Sequence, residues 1–155
     1  MNALAIAALV LGAAFATPAY AQDKPADNMQ ILMEKLKADK KLLVAENLQL
    51  TESEAKAFWP VYESYQKDLD KINERLGKVI NDYGANYQSL TDDVADKLTT
   101  EAVAIEVDRT KLMQSYLPKL KKALPARKAA RYYQLESKIR AVLNFQLAAN
   151  IPLAK

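Results

Sequence analysis

The sequence predicts an all-α protein whose four long, partly kinked helices form antiparallel hairpins, extended rather than compact. Only three glycines and six prolines occur in 155 residues, so the chain has few places to reverse direction. Apolar residues recur at steps of three and four over long stretches, and no alternating stretch typical of a strand is present. The helices are predicted at about 29–46, 52–84, 92–123 and 125–149.

Residues 1–21 are expected to be a signal peptide that is removed. The run from Ala3 to Ala16 is almost entirely apolar, and Ala19-Tyr20-Ala21 follows it as a small-x-small cleavage signal. Cleavage after Ala21 leaves residues 22–155 as a single all-helical domain exported to the periplasm. A retained membrane anchor is the alternative, but the apolar run is shorter than the roughly 20 residues that span a bilayer.

A strong helix-start signal separates the first two helices. Thr51 can accept a hydrogen bond from the Glu54 amide, and the Glu54 carboxylate can reach back to the Thr51 amide, which together make a capping box. The second helix then carries a heptad seam with alternating steps of four and three. The seam consists of Phe58, Tyr62, Tyr65, Leu69, Ile72, Leu76, Val79 and Tyr83. Pro60 lies inside this helix and is expected to kink its first two turns.

A second start of the same kind follows 40 residues later. Gly84 is expected to end the second helix, and Leu90-Thr91 then repeats Leu50-Thr51, with Thr91 as the N-cap of the third helix. The repeat suggests a duplicated hairpin unit. Pro118 is expected to kink or break the third helix near Gln114, because a proline cannot donate to that carbonyl.

The fourth helix is predicted to begin at Pro125. The first helical position suits proline, because its missing N–H would have no helical partner there. The apolar stripe of this helix consists of Tyr132, Ile139, Leu143 and Leu147. The helix is expected to end near Asn150, before Pro152.

Two charged residues fall on apolar stripes. The spacing of apolar residues in the third helix places Arg109 on its apolar face. The same spacing in the fourth helix places Glu136 between Tyr132 and Ile139. An unpaired buried charge destabilises a protein by several kcal/mol, so we expect Arg109 and Glu136 to pair with each other. The alternative is that each side chain independently extends its charged end to water.

The charge of the chain is unevenly distributed. Between Asp108 and Glu136 no acidic residue occurs, although many basic residues do. Beyond Arg109, this basic region contains Lys111, Lys119, Lys121, Lys122, Arg127, Lys128 and Arg131. It is interpreted as an ordinary solvated surface, as a docking patch for anionic lipid, or as a surface that attracts acidic or unfolded polypeptides. Nucleic acid is not expected as a partner of an exported protein.

The composition argues against catalysis. Cysteine and histidine are both absent, which excludes a thiolate nucleophile, an imidazole base and the usual zinc or iron–sulfur sites. Asp92, Asp93 and Asp96 are interpreted as helix N-terminal acids rather than as a cation site. We therefore expect a protein that is not an enzyme and that uses no metal or cofactor.

The two Leu-Thr helix starts resemble those of a known family. Leu50-Thr51-Glu52-Ser53-Glu54 and Leu90-Thr91-Asp92-Asp93-Val94 are similar to the Leu-Thr-x-x-Gln motifs of the Spy/CpxP group of periplasmic stress proteins, although both lack the glutamine. The resemblance implies long bent helices, a cradle-shaped homodimer and ATP-independent binding of unfolded envelope proteins.

A second resemblance spans most of the mature chain. Phe58-Trp59-Pro60-Val61-Tyr62, Leu124-Pro125-Ala126-Arg127-Lys128 and Tyr133-Gln134-Leu135-Glu136 are similar to a set of exported bacterial proteins of unassigned function. The resulting hypothesis is a periplasmic binding protein of the chaperone or stress-adaptor type. The alternative is an envelope-structural or membrane-surface protein that docks on anionic lipid through the basic 109–131 region.

Overall fold

The computed structural model describes residues 39–154, and this part of the chain is all-α, as predicted. Within it, four helices and one short 3₁₀ helix occur, and no strand. They are α1 at 39–48, α2 at Glu52–Asn86, the 3₁₀ helix at Tyr87–Ser89, α3 at Asp92–Ala123 and α4 at Ala126–Asn150. The predicted signal peptide and the predicted start of the first helix, before residue 39, lie outside the described residues.

Both predicted helix caps are present. The Thr51 hydroxyl accepts from the Glu54 amide at 3.3 Å, and the Thr51 amide donates to the Glu54 carboxylate at 2.8 Å, completing the capping box. Thr91 caps α3 by accepting from the amide of Val94 at 3.4 Å. Each motif satisfies amides that have no partner within the helix, which explains why α2 and α3 begin at these residues.

The prolines inside the helices do not end them. α2 continues through Pro60 and α3 through Pro118, so the third helix is not broken near Gln114. Pro118 and Gln114 are both exposed, so water can bind the carbonyl that loses its helical donor. Because Pro118 lies on the solvent side of the helix, the lost hydrogen bond to the Gln114 carbonyl costs less than it would in the core.

Three predicted helix ends move by one or two residues. α2 passes Gly84 and ends at Asn86 rather than at 84. α4 begins at Ala126, because Pro125 has an extended ψ of 147° and is the N-cap rather than the first helical residue. α1 ends at 48 rather than 46, where Gln49 turns the chain with a φ of 44° and donates its amide to the Ala45 carbonyl.

α2 and α3 form the predicted antiparallel hairpin. Tyr65 of α2 packs edge-on against Tyr116 of α3, with ring centroids 5.4 Å apart. Further along α2, Asn73 accepts from Arg109, at a lower number on α3. Because residue numbers rise on one helix as they fall on the other, the two helices run in opposite directions. At 1.5 Å per residue they are about 52 and 48 Å long.

The N-terminal half of α4 completes an aromatic core against α2. Tyr132 is fully buried, and its ring lies 5.2 Å from that of Phe58 and 6.1 Å from that of Tyr62. α1 adds Val44 and Leu48, both fully buried in the same cluster. Burial of such side chains contributes on the order of 1.5–3 kcal/mol each, so this cluster helps to hold α1, α2 and α4 together.

Candidate binding surface

A polar cluster of four side chains lies beside the aromatic core. The Glu136 carboxylate accepts from Lys40 Nζ at 2.8 Å and from Gln66 Nε2 at 2.9 Å. Gln66 also bonds the Tyr132 hydroxyl at 3.2 Å. Only 8% of the Glu136 side chain and 14% of the Lys40 side chain are exposed. We call Lys40, Gln66, Tyr132 and Glu136 the polar cluster; it joins α1, α2 and α4.

The tyrosines around the polar cluster are held neutral. Burial raises the pKa of Tyr132 far above its ordinary value, and the nearby Glu136 carboxylate raises it further. Burial and Glu136 raise the pKa values of Tyr62 and Tyr65 in the same direction. An ordinary tyrosine is already neutral at pH 7, so the raised pKa values mean that these hydroxyls keep their protons further into alkaline pH, as expected for buried core groups.

The predicted pairing of Arg109 with Glu136 is wrong, although both residues are buried as expected. Glu136 pairs with Lys40, whereas Arg109 donates to Asn73 Oδ1 at 3.0 Å and lies 3.8 Å from Glu106. Arg109 Nε is buried and makes no hydrogen bond.

The position of each residue along α2 explains the failure. Glu136 lies beside Gln66, and Arg109 lies beside Asn73. These two α2 residues are seven positions, or about 10 Å, apart along the helix axis. The apolar stripe of each helix correctly predicted that Arg109 and Glu136 are buried. It did not predict the position along the helix axis at which each charge meets its neighbours.

Some cations of the predicted basic region bind other parts of the fold, and others are exposed. Lys128 donates to the Gln49 carbonyl and to the Glu54 carboxylate, and Arg131 donates to the Asn47 carbonyl. Both thus satisfy carbonyls at the C-terminal end of α1. Lys119 lies over the Tyr116 ring, 4.4 Å from its centroid. Four exposed cations remain: Lys111, Lys121, Lys122 and Arg127.

The acids at the start of α3 behave as helix-terminal acids. Asp92 and Asp93 occupy the first turn, where the helix dipole favours negative charge. Across residues 39–154, no group of three or more potential ligand side chains is arranged to hold a metal ion.

The C-terminal half of α4 exposes several apolar side chains. Between Lys138 and Asn150 every residue is exposed except Ile139 and Leu147, which are half-buried. Phe145 is 75% exposed and Val142 is 58% exposed. With Ala141 and Ala149 they lie within about 100° of the helix circumference, on a side that is turned away from Tyr132 by about 80° or more. We call Ala141, Val142, Phe145 and Ala149 the exposed α4 face.

The charge around the exposed α4 face is of one sign. No acidic residue follows Glu136, whereas Lys138 and Arg140 precede the apolar residues. Lys138 lies on the same side of the helix as Phe145. Exposed apolar side chains grouped on one side of a helix with a cation beside them make this face the candidate interaction surface.

α3 exposes apolar side chains in a different charge setting. Val103 is 60% exposed and Val107 is 45% exposed, four residues apart on one side of the helix. Glu106 and Lys111 flank them, so the local charge is mixed. This pair provides a natural control for the exposed α4 face.

No family model, curated protein or solved structure matches this chain in the comparisons made. The resemblance to Spy/CpxP proteins therefore remains a prediction. None of the described helices combines the length and the apolar character that crossing a bilayer requires.

The sequence reasoning missed three important residues. Lys40 and Gln66 are polar residues outside the predicted stripes, and nothing local marks them as partners of Glu136. Phe145, in contrast, carried a usable signal: like Val142, it is a large apolar residue outside the predicted α4 stripe. Such an off-stripe residue in an amphipathic helix indicates a second apolar face.

Proposed function

We propose that the mature protein is a non-enzymatic periplasmic binding protein that holds unfolded envelope polypeptides without ATP, as the Spy/CpxP resemblance implies. The single observation that carries this proposal is the exposed α4 face, with Phe145 and Val142 open to solvent beside Lys138. A face of this kind binds by burying apolar surface and needs no enclosed pocket.

The expected strength of the contact suits transient holding. Covering Val142 and Phe145 completely would contribute about 3–5 kcal/mol. Association and ordering costs oppose this gain, so one face binds weakly and releases its client readily. The lack of acidic residues after Glu136 favours clients with neutral or acidic apolar segments over basic ones.

The test is suppression of aggregation. A reduced or heat-denatured model client is followed by light scattering with and without the mature chain starting at Gln22. We expect suppression near a stoichiometric ratio. Replacing Val142 and Phe145 together by glutamine should remove most of it, whereas the control replacement of Val103 and Val107 by glutamine should preserve it.

Two outcomes would contradict the proposal. No suppression by the unmodified protein would remove the holding function itself. Full suppression by the Val142→Gln/Phe145→Gln protein would remove the exposed α4 face as the binding surface. Light scattering after size-exclusion chromatography, run on the same samples, reports whether the chain forms the homodimer that the family resemblance implies.

The second candidate function is docking on anionic lipid through the basic region. Lys121, Lys122 and Arg127 are exposed, and Tyr133 nearby in the chain is 51% exposed. Basic residues near an anionic surface contribute about 1 kcal/mol each. Co-sedimentation with phosphatidylglycerol vesicles that weakens with salt would support this function, and no co-sedimentation at low salt would contradict it.

A further inference from the structure

The last residues of the chain leave α4 and contact the hairpin. The Ile151 amide donates to the Leu147 carbonyl at 2.9 Å, and the Ile151 backbone is then extended, with φ −96° and ψ 113°. One residue later, the Pro152 carbonyl accepts from the Tyr83 hydroxyl at 2.9 Å. We call residues 151–154 the tail.

The tail lies against a small apolar hollow between α2 and α3. Ile151 is half-buried at the edge of this hollow, whose volume is about 210 Å³. The other residues that line it are Val79, Ile80, Tyr83, Leu98, Thr99 and Ala102. The surface is therefore mostly aliphatic, and the Tyr83 hydroxyl among its lining residues donates to the tail.

The contact has the chemistry of peptide recognition. The hollow faces one aliphatic side chain, and the tyrosine hydroxyl binds a carbonyl of the next residue in an extended backbone. Nothing in this arrangement depends on the tail being covalently joined to α4, so any extended segment with an aliphatic residue in the same place presents the same groups. The Tyr83 ring packs against Tyr87, with centroids 5.8 Å apart, which positions the hydroxyl.

The tail is held weakly enough to be displaced. Leu153 is 89% exposed and Ala154 is also exposed. The tail therefore contributes one half-buried side chain, that of Ile151, and one acceptor, the Pro152 carbonyl, to this contact.

We propose that the hollow is a client site for extended aliphatic segments of polypeptide and that the tail is its tethered competitor. This inference rests on the proposed holding function and names a second contact for the same clients. A tethered segment acts at an effective concentration on the order of millimolar, so it excludes weak ligands until a stronger or more abundant client displaces it.

The experiment measures binding of the tail's own sequence as a free peptide. The probe is a fluorescein-labelled Asn-Ile-Pro-Leu-Ala peptide, and binding is followed by fluorescence anisotropy. A chain ended after Asn150 should bind it about tenfold more tightly than the full chain, for a probe with a dissociation constant of ~0.1 mM. In the shortened chain, Tyr83→Phe should weaken binding, whereas the control Tyr133→Phe should leave it unchanged.

A second variant covers the case in which the shortened chain does not fold. Ile151→Ser in the full chain removes the aliphatic side chain of the competitor and should also strengthen probe binding. A probe with serine in place of isoleucine should bind neither protein. Folding of each variant is checked by circular dichroism.

The outcomes separate this inference from the proposed function. Equal probe binding by the full chain, the shortened chain and the Ile151→Ser protein would overturn the inference, as would no effect of Tyr83→Phe. If the folded shortened chain suppresses client aggregation but does not bind the probe, the hollow is excluded and the holding function stands. If it does neither, both proposals are wrong.

Discussion

Replacing Glu136 by leucine should be among the most destabilising single changes in the described chain. The change removes the carboxylate that binds Lys40 and Gln66 and leaves a Lys40 side chain that is only 14% exposed without its counter-charge. Breaking a buried ion pair costs about 3–5 kcal/mol, and the length of a lysine side chain places the expected loss near the lower end, about 3 kcal/mol. For a domain of this size the melting temperature should fall by about 12 °C.

A double-mutant cycle measures the pairing itself. Lys40→Met should be destabilising for the same reason, but the Lys40→Met/Glu136→Leu protein should recover most of the loss, because two apolar side chains leave no buried charge. Free energies of unfolding come from urea denaturation followed by circular dichroism. Glu63→Leu is the matched control: Glu63 also pairs with a lysine of α1, but 62% of its side chain is exposed, so the cost should stay below about 0.5 kcal/mol.

The result that would refute this reasoning is additivity. If the double variant is as unstable as the sum of the single variants, Lys40 and Glu136 do not stabilise each other. If Glu136→Leu costs no more than Glu63→Leu, the polar cluster is not buried in solution.

Three further predictions concern the helices. Thr51→Ala should cost about 1 kcal/mol by removing the α2 cap, and an unchanged urea midpoint would show that the capping box contributes nothing. Gly77→Ala should raise the free energy of unfolding by about 0.5–1 kcal/mol, because alanine favours the helix and nothing lies within 4 Å of the added carbon. A lower free energy of unfolding would show that residue 77 is not in an open position inside a helix. Hydrogen bonds from Arg75 hold the pKa values of Glu101 and Asp108 below their usual range. The unfolded chain therefore takes up protons first, so the stability that these acids contribute at neutral pH is lost as the pH falls below about 4 through the lowered folded-state values. Melting temperatures from pH 7 to pH 3 should fall less steeply for Arg75→Met, and identical slopes would rule out this linkage.

The features that were predictable from sequence depend on neighbours within the same helix. The capping box at Thr51 and the cap at Thr91 use residues three positions apart, and the heptad seam of α2 uses steps of three and four. Such signals are complete within a dozen residues, so the all-α class and the start of α3 at Asp92 could be read directly. The side of the helix that faces the core was also readable, since Arg109 and Glu136 are both buried.

The features that were not predictable depend on how helices align along their length. The partner of Glu136 lies 96 residues away on α1, and no pattern around either residue sets that level. Likewise, Lys128 and Arg131 were grouped with a basic surface, whereas each binds a carbonyl near the end of α1. A run of basic residues in the sequence shows only that they are close in the chain. The packing of the helices decides which of them bind other groups of the protein.

The exposed α4 face was only partly predictable from the sequence. Its apolar residues are visible in the sequence, but their exposure depends on what packs against α4, which the sequence does not state. The predicted stripe of Tyr132, Ile139, Leu143 and Leu147 also becomes less buried along the helix: Tyr132 is fully buried, whereas Leu143 is 37% exposed. The burial of α4 thus changes along its length without a matching change in its helical periodicity.

Site-specific photocrosslinking tests the binding surface most directly. A benzophenone amino acid replaces Phe145 in one protein and Lys67, an exposed α2 residue, in another. Each is irradiated with a denatured model client, and adducts are separated by electrophoresis. The proposed function predicts client adducts from position 145 and few from position 67. Equal yields from the two positions, or adducts from position 67 alone, would contradict binding through the exposed α4 face.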